Sequence, residues 1–313
     1  MRIDRALCAL AFVFLAGCAA KPTHPDAFSF AVMGDTQYNA AEEAVFVEML
    51  DRIGREDLAF VVHVGDIIGG VDCTDAIYAR RKAEFDASAH PFIYTPGDNE
   101  WTDCHQARRG NRDPIERLAK IRGTFFADRF SLGRKRLELL VQGGCVDMQP
   151  EGCRCAGLPE NRFWSRGGVR FVTLSVPGSE NNRGRDAAND EEARCRDEAN
   201  RAWLEQAVRL AERGETRGLV IFIHANPWDS KKGHYRALIR QVEVAARRVG
   251  HPVLFVHGDS HNQRIDAPFS ENILVTRLET YGSPLMGWIK VTVDPDDPMV
   301  FRMEPKLYKV VKP

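Results

Sequence analysis

Seven positions in this 313-residue chain carry side chains suited to holding a cation: Asp35, Gln37, Asp66, Asp98, His224, Asp259 and His261. They are scattered along the sequence, yet each stands just beyond an apolar run. Carboxylates with imidazoles, and few thiols to compete, suit Mn, Fe, Zn or Mg rather than softer ions. Two divalent ions about 3.5–4 Å apart, sharing one carboxylate, can clamp the attacking and leaving oxygens of an in-line phosphoryl displacement. The chemistry this set points to is hydrolysis of a phosphate ester.

The runs that precede these residues read as strands. Phe28–Met33 leads to Gly34-Asp35-Thr36-Gln37, and Leu58–Val64 to Gly65-Asp66. Pro91–Thr95 leads to Pro96-Gly97-Asp98-Asn99-Glu100-Trp101. Leu219–Ile223 ends at His224, and Pro252–Val256 at His257-Gly258-Asp259-Ser260-His261. Continuous apolar strands of this kind are those of buried parallel sheets, whose C-terminal edge collects ligands. Helical spacing marks Ala40–Glu56, Asp75–Ala89, a segment capped by Asp113 that runs to Ala127, Asp190–Arg213 and Tyr235–Val249. Arg162–Ser165 and Val169–Val176 form a hairpin around Gly167-Gly168. The tail reads as three antiparallel strands near Ile273–Leu278, Gly287–Val293 and Val300–Leu307, and residues 131–161 give no clear pattern. Strand and helix alternate without a linker from Phe28 onward, so residues 28–313 are expected to form one domain of α/β class.

The order of these motifs resembles the calcineurin-like metallophosphoesterase family. That family runs Asp-x-His, Gly-Asp, Gly-Asn-His-Asp/Glu, an isolated His, then Gly-His-x-His. Here Asp35, Asp66, Gly97, Glu100, His224, Gly258 and His261 match. Gln37, Asp98, Asn99 and Asp259 stand where the family has His, Asn, His and His. The resemblance implies a four-layer αββα sandwich of two mixed β-sheets flanked by helices, and two divalent metal ions. The first ion would take Asp35, Gln37, Asp66 and His261; the second would take Asp66, Asp98, His224 and Asp259. The implied reaction is attack by a metal-bound hydroxide on a small phosphate ester. Asn99 occupies the place of the family's catalytic His: it can orient the phosphoryl group but cannot deliver a proton. General acid help is worth about 10²–10⁴-fold, and His105, six residues on, is the candidate donor.

The first residues are of a different character. Arg2 and Arg5 precede an apolar run from Ala6 to Ala16, the pattern of a secretory leader. Leu15-Ala16-Gly17-Cys18 resembles the bacterial lipobox, which implies removal of residues 1–17 and lipid attachment at Cys18. Residues 18–27 then form a tether, and the protein is expected on the outer membrane, facing the periplasm. Net charge is −1, with no basic bias to suggest nucleic acid. Export makes disulfides the default for the remaining cysteines. Cys73 and Cys104 each follow a ligand-bearing strand and are expected to pair. Cys145, Cys153, Cys155 and Cys195 would staple residues 142–161, a structural zinc being the rival.

Other residues have plainer readings. His63 and His257 lie inside strands and read as hydrogen-bonded core residues, although a one-residue slip would make His257 a ligand in place of Asp259. Pro96-Gly97-Asp98-Asn99 is also strong turn chemistry. Gln37 has the lesser reading of a helix cap. Trp101 and Trp228 read as packing, and Asn181-Asn182-Arg183 as a solvated loop. The altered motifs also keep open a second class, a non-catalytic binding or assembly module on the cell envelope.

Overall fold

The computed structural model describes residues 26–269 and 274–312. The leader, Cys18 and most of the tether lie outside the described residues, as does Ile273. Among the described residues no helix is long and apolar enough to cross a membrane.

The strands, in chain order, are β1 (Phe28–Met33), β2 (Val61–His63), β3 (Phe92–Tyr94), β4 (Leu140–Val141), β5 (Cys145–Gln149), β6 (Gly152–Ala156), β7 (Arg162–Arg166), β8 (Val169–Thr173), β9 (Gly218–Phe222), β10 (Val253–His257), β11 (Arg264–Asp266), β12 (Val275–Glu279), β13 (Leu285–Val293) and β14 (Phe301–Val310). The helices are α1 (Ala40–Gly54), α2 (Asp75–Asp86), α3 (Pro114–Phe125), α4 (Ala187–Glu212) and α5 (Arg236–Val249). One sheet has the order β14-β13-β1-β2-β3, and the other β11-β12-β10-β9-β8-β7-β4. Both are mixed. β1, β2 and β3 run parallel while β13 and β14 are antiparallel. β8, β9, β10 and β12 run parallel, flanked by antiparallel β7 and β11.

Strand alternation builds the layers. On β1, Ala31 and Met33 face a core shared with Phe46 and Met49 of α1, while Phe30 and Val32 face the second sheet. Phe30, Phe60, Phe171 and Trp164 interlock between the sheets, with centroids 5.0–5.6 Å apart. Trp203 and Leu204 of α4 and Val242 of α5 cover the outer face of the second sheet. The result is helices, sheet, sheet, helices, the four-layer α/β sandwich expected.

The tail differs from expectation at one strand. β12 runs parallel to β10, with Val253 opposite Val275, and it is antiparallel only to the short β11. An apolar run carries no strand direction, and Arg264–Asp266 is too short to show an alternation. The long helix opens earlier than expected: Asp186, not Asp190, caps α4, its side chain accepting the Asn189 N–H. Cys73 pairs with Cys104, and the other four form Cys145–Cys153 and Cys155–Cys195. Their sulfurs are therefore not available to a zinc ion. These two bridges hold the β5–β6 hairpin and tie it to α4.

Candidate metal centre

The C-terminal ends of the two central sets of parallel strands meet at one place. From the first sheet, β1 delivers Asp35 and Gln37, β2 delivers Asp66 and β3 delivers Asp98. From the second, β9 delivers His224 and β10 delivers Asp259 and His261. The backbone is bent hard to do so. Asp35, Gln37, Asp66, Asp259 and His261 all have φ between 53° and 77°. That left-handed region is costly for side chains other than glycine's, and such strain collects at functional sites.

Glycines let the carboxylates crowd in. A Cβ on Gly97 would lie 2.2 Å from Asp66 Oδ1, and one on Gly258 would lie 2.1 Å from Asp35 Oδ2. A Cβ on Gly178 would lie 2.6 Å from Oδ1 of both Asp98 and Asp259. The glycines of the motifs thus stand where the backbone must pass directly against an acid.

Among the described residues, two groups of side chains come within metal-ligand reach: Asp35 with Asp66 and His224, and Asp98 with His224 and Asp259. His224 belongs to both, its Nε2 lying 2.9 Å from Asp98 Oδ1, 3.3 Å from Asp66 Oδ1 and 3.7 Å from Asp259 Oδ1. His261 lies outside these tight groups, with Nε2 3.6 Å from Asp35 Oδ1. Both imidazoles are oriented alike. Nδ1 of His224 lies 2.8 Å from the Val64 carbonyl, and Nδ1 of His261 lies 2.8 Å from the Ser283 carbonyl. A carbonyl accepts only N–H, so Nε2 of each ring is the atom offered to the cluster. Main-chain N–H groups hold the acids in turn. Asp66 Oδ1 accepts from Asp98 and Asn99, Asp35 Oδ1 from Asp259, and Asp259 Oδ2 from Asn226.

The electrostatics call for a cation. Burial, with Asp259 and Asp98 nearby, pushes the Asp35 carboxyl up to about 8, despite the opposing pull of His224. Burial and Asp98 push Asp259 up to about 6. Asp66 is raised chiefly by burial. Burial alone would depress His224, but the surrounding carboxylates carry it well above its ordinary value. Even with the His224 imidazolium among them, burial and crowding keep a proton on Asp35 at neutral pH, and divalent ions would take its place. The amide of Gln37 is buried, 1% exposed, with neither Nε2 nor Oε1 hydrogen-bonded. The donor set, its orientation and this orphaned amide fit divalent ions.

The remaining candidates fall elsewhere. Glu100 is a brace, its Oε1 accepting from Tyr94 Oη and the Gly97 and Asp66 N–H groups. The Asn99 carboxamide donates to the Ile68 carbonyl and accepts from Arg109, so what it brings to Asp66 is its main-chain N–H. His105 is half-buried in a 3₁₀ turn, with Nδ1 2.8 Å from the Thr102 carbonyl. His63 and His257 are core residues, each pushed down to about 3 by burial, and no slip brings His257 into the cluster. Trp101 is wholly buried, and Trp228 packs on Phe255 and Phe269.

Residues 181–183 are not a solvated loop. Asn181 and Asn182 are 1% exposed and bonded to Arg196, Asp197 and Glu192. The turn that carries them has four successive left-handed residues, Ser179 to Asn182. It places Ser179 Oγ 2.7 Å from both Asp98 Oδ2 and Asp103 Oδ1. Polar composition alone does not separate such a turn from a surface loop. Tyr38 was also missed: its hydroxyl lies 2.9 Å from Asp66 Oδ2 and 3.2 Å from His261 Nε2. The available signal was its position directly after Gln37.

Residues 28–263 match the family model described as calcineurin-like phosphoesterase. A search of curated proteins finds no match. Among solved structures, a dimetal phosphatase from Danio rerio superposes with a TM-score of 0.55 at 14% identity, over 90% of this chain and 96% of that one. A phosphatase from Mycoplasma pneumoniae gives 0.46 at 8% identity, over 89% and 92%. Such low identities speak for the fold alone, and of these two the first carries that argument.

Proposed function

Taking as premise that the chain belongs to the calcineurin-like phosphoesterase family, we propose that it hydrolyses a small phosphate ester at a two-metal centre. The observation that carries this reading is the convergence of Asp35, Asp66, Asp98, His224, Asp259 and His261, with both imidazoles offering Nε2. Asp35, Gln37, Asp66 and His261 would hold one ion, and Asp66, Asp98, His224 and Asp259 the other. When bound, the ions neutralise the phosphoryl oxygens and make a nucleophile from water at neutral pH.

The chain's own residues supply placement. The N–H groups of Asp98 and Asn99 pin Asp66 Oδ1, which fixes the carboxylate shared between the two positions. Ser179 holds Asp98 from the opposite wall. Asn99 delivers no proton, so protonation of the leaving oxygen falls to His105 or to water. Esters with acidic leaving groups, such as nitrophenyl phosphates, are therefore expected to turn over far faster than alkyl esters.

The location is part of the same proposal: an exported protein, lipid-anchored through Cys18 in the cell envelope. The test is metal-depleted protein resupplied with Mn, Fe, Zn or Mg and assayed on mono- and diesters. Metal-dependent product release is expected, and inactivity with every metal and ester would count against catalysis. The Asn99 carboxamide, held by Ile68 and Arg109, favours a second reading, a binding module on the same fold. Two bound ions without turnover would support that second reading.

A further inference from the structure

We propose that Glu279 is a positioning residue that sets the spacing of the two metal positions, by clamping the segment Asp259-Ser260-His261, which carries one ligand of each. This rests on the two-metal reading above and goes beyond it, naming a group outside the motifs that holds the two positions in register.

Glu279 is the last residue of β12, in register with His257 of β10 on one side and with Arg264 of β11 on the other. Its side chain has no exposed surface. A carboxylate buried so completely needs partners for both oxygens. Oε2 lies 2.8 Å from Arg264 Nε. Oε1 accepts from the Ser260 hydroxyl and, at 3.1 Å, from the Asn262 N–H. Those two donors stand on either side of His261. A buried ion pair is seldom more stabilising than apolar side chains of similar volume. Glu279 is therefore better explained by the segment it holds than by what it adds to the core.

That segment needs holding. Asp259 and His261 are left-handed, with φ 77° and 57°, and Ser260 lies between them. Such backbone persists only where its surroundings over-determine it. Asn226, two residues after His224, supplies the next link. Its N–H donates to Asp259 Oδ2 at 2.9 Å, and its Nδ2 donates to Ser260 Oγ at 3.0 Å. One chain of bonds thus runs from the His224 loop through Asn226 and Ser260 to Glu279, joining the ends of β9, β10 and β12. The next residue, Thr280, donates its N–H to the His257 carbonyl at 2.9 Å, and its hydroxyl lies 3.4 Å from Asp35 Oδ2. Without Oε1 each ligand keeps a brace of its own, Asn226 for Asp259 and the Ser283 carbonyl for His261. What is lost is the acceptor common to both sides of His261, and with it the fixed separation of the two ligands.

Manganese is the probe, because two manganese ions sharing a ligand are exchange-coupled and their paramagnetic resonance spectrum differs from that of isolated ions. Metal-depleted wild type, Glu279→Ala, Glu279→Gln and Ser260→Ala are titrated by calorimetry, and the loaded proteins are examined by resonance. Asp266→Asn is the control: it breaks the neighbouring Arg277–Asp266 pair between the same two strands and reports what destabilisation alone does. Wild type is expected to bind two ions with a coupled spectrum. Glu279→Ala is expected to bind the second ion at least about tenfold more weakly and to lose the coupling. Ser260→Ala should change in the same direction. Glu279→Gln should keep the coupling, since its carbonyl oxygen can accept the Ser260 and Asn262 bonds. Asp266→Asn should melt lower and keep it too. Wild-type affinity and coupling in Glu279→Ala, or in Ser260→Ala if Glu279→Ala does not fold, overturns the positioning role and leaves the metal reading standing. An equal loss in Asp266→Asn overturns it also. Fewer than two ions bound by wild type overturns the two-metal reading and this proposal with it.

Discussion

Replacing Gly258 by Ala tests whether the glycines of the motifs exist to let acids approach. The new Cβ would lie 2.1 Å from Asp35 Oδ2, where real Cβ contacts essentially never fall under 3.0 Å. The carboxylate must therefore retreat by roughly 0.9 Å or the β10 loop must yield, since Cγ of Asp35 is only 3.1 Å away and Thr280 Oγ1 3.3 Å. Overpacking of this kind typically costs about 1–3 kcal/mol. Without metal, Asp35 can swing aside and give up the Asp259 N–H. With metal it cannot, so most of the cost appears as lost affinity, about 5–150-fold. The assay is manganese calorimetry beside chemical denaturation of the metal-free protein. Gly123→Ala is the control, because nothing lies within 4 Å of a Cβ there and the residue sits in α3. That change should leave affinity alone and stabilise the chain by about 0.5–1 kcal/mol. Wild-type manganese affinity in Gly258→Ala would refute the reasoning.

Two further outcomes follow from the same structure. In metal-free protein Asp35 titrates at about 8 against an ordinary 3.8, so across that interval the folded state holds a proton that the unfolded state has lost. Stability is then greatest below about pH 4 and falls as pH rises through 8, by on the order of 4 kcal/mol between pH 4 and 7 for this one group. Asp259, at about 6, acts in the same direction. Melts of chelator-treated protein should drop from pH 5 to pH 8, and manganese should erase the drop; a rise would contradict the assignment. Separately, Cys73→Ala with Cys104→Ala opens a link spanning 31 residues. Loop entropy sets the loss at about 3–4 kcal/mol, readable as a lower urea midpoint.

Much of the sandwich was legible because its central strands are continuous apolar runs that stop abruptly in Gly-Asp or His. Phe28–Met33 and the span of α1 follow directly from periodicity. The direction of β12 was not legible, since parallel and antiparallel partners present the same apolar face to a neighbour. The converging acids and imidazoles were legible from their type and order. Tyr38 and Ser179 were not, because each reaches the cluster through backbone conformations that no spacing rule encodes: the left-handed Gln37 in one case, four left-handed residues in the other. Asn99 was visible as a departure, but its carboxamide is held by Ile68 and Arg109, partners 31 and 10 residues away. Contacts of that kind are fixed by the packed fold rather than by local sequence.

The most direct test is a titration of metal-depleted protein with manganese, following hydrolysis of a nitrophenyl phosphate ester as a function of ions bound per chain. Hydrolysis should rise from near zero and level off at about two ions per chain. It should stay near zero throughout in Asp66→Asn, whose carboxamide cannot serve two cations. Hydrolysis that is independent of bound metal, or unchanged in Asp66→Asn, would contradict a metal-dependent phosphoesterase at this site.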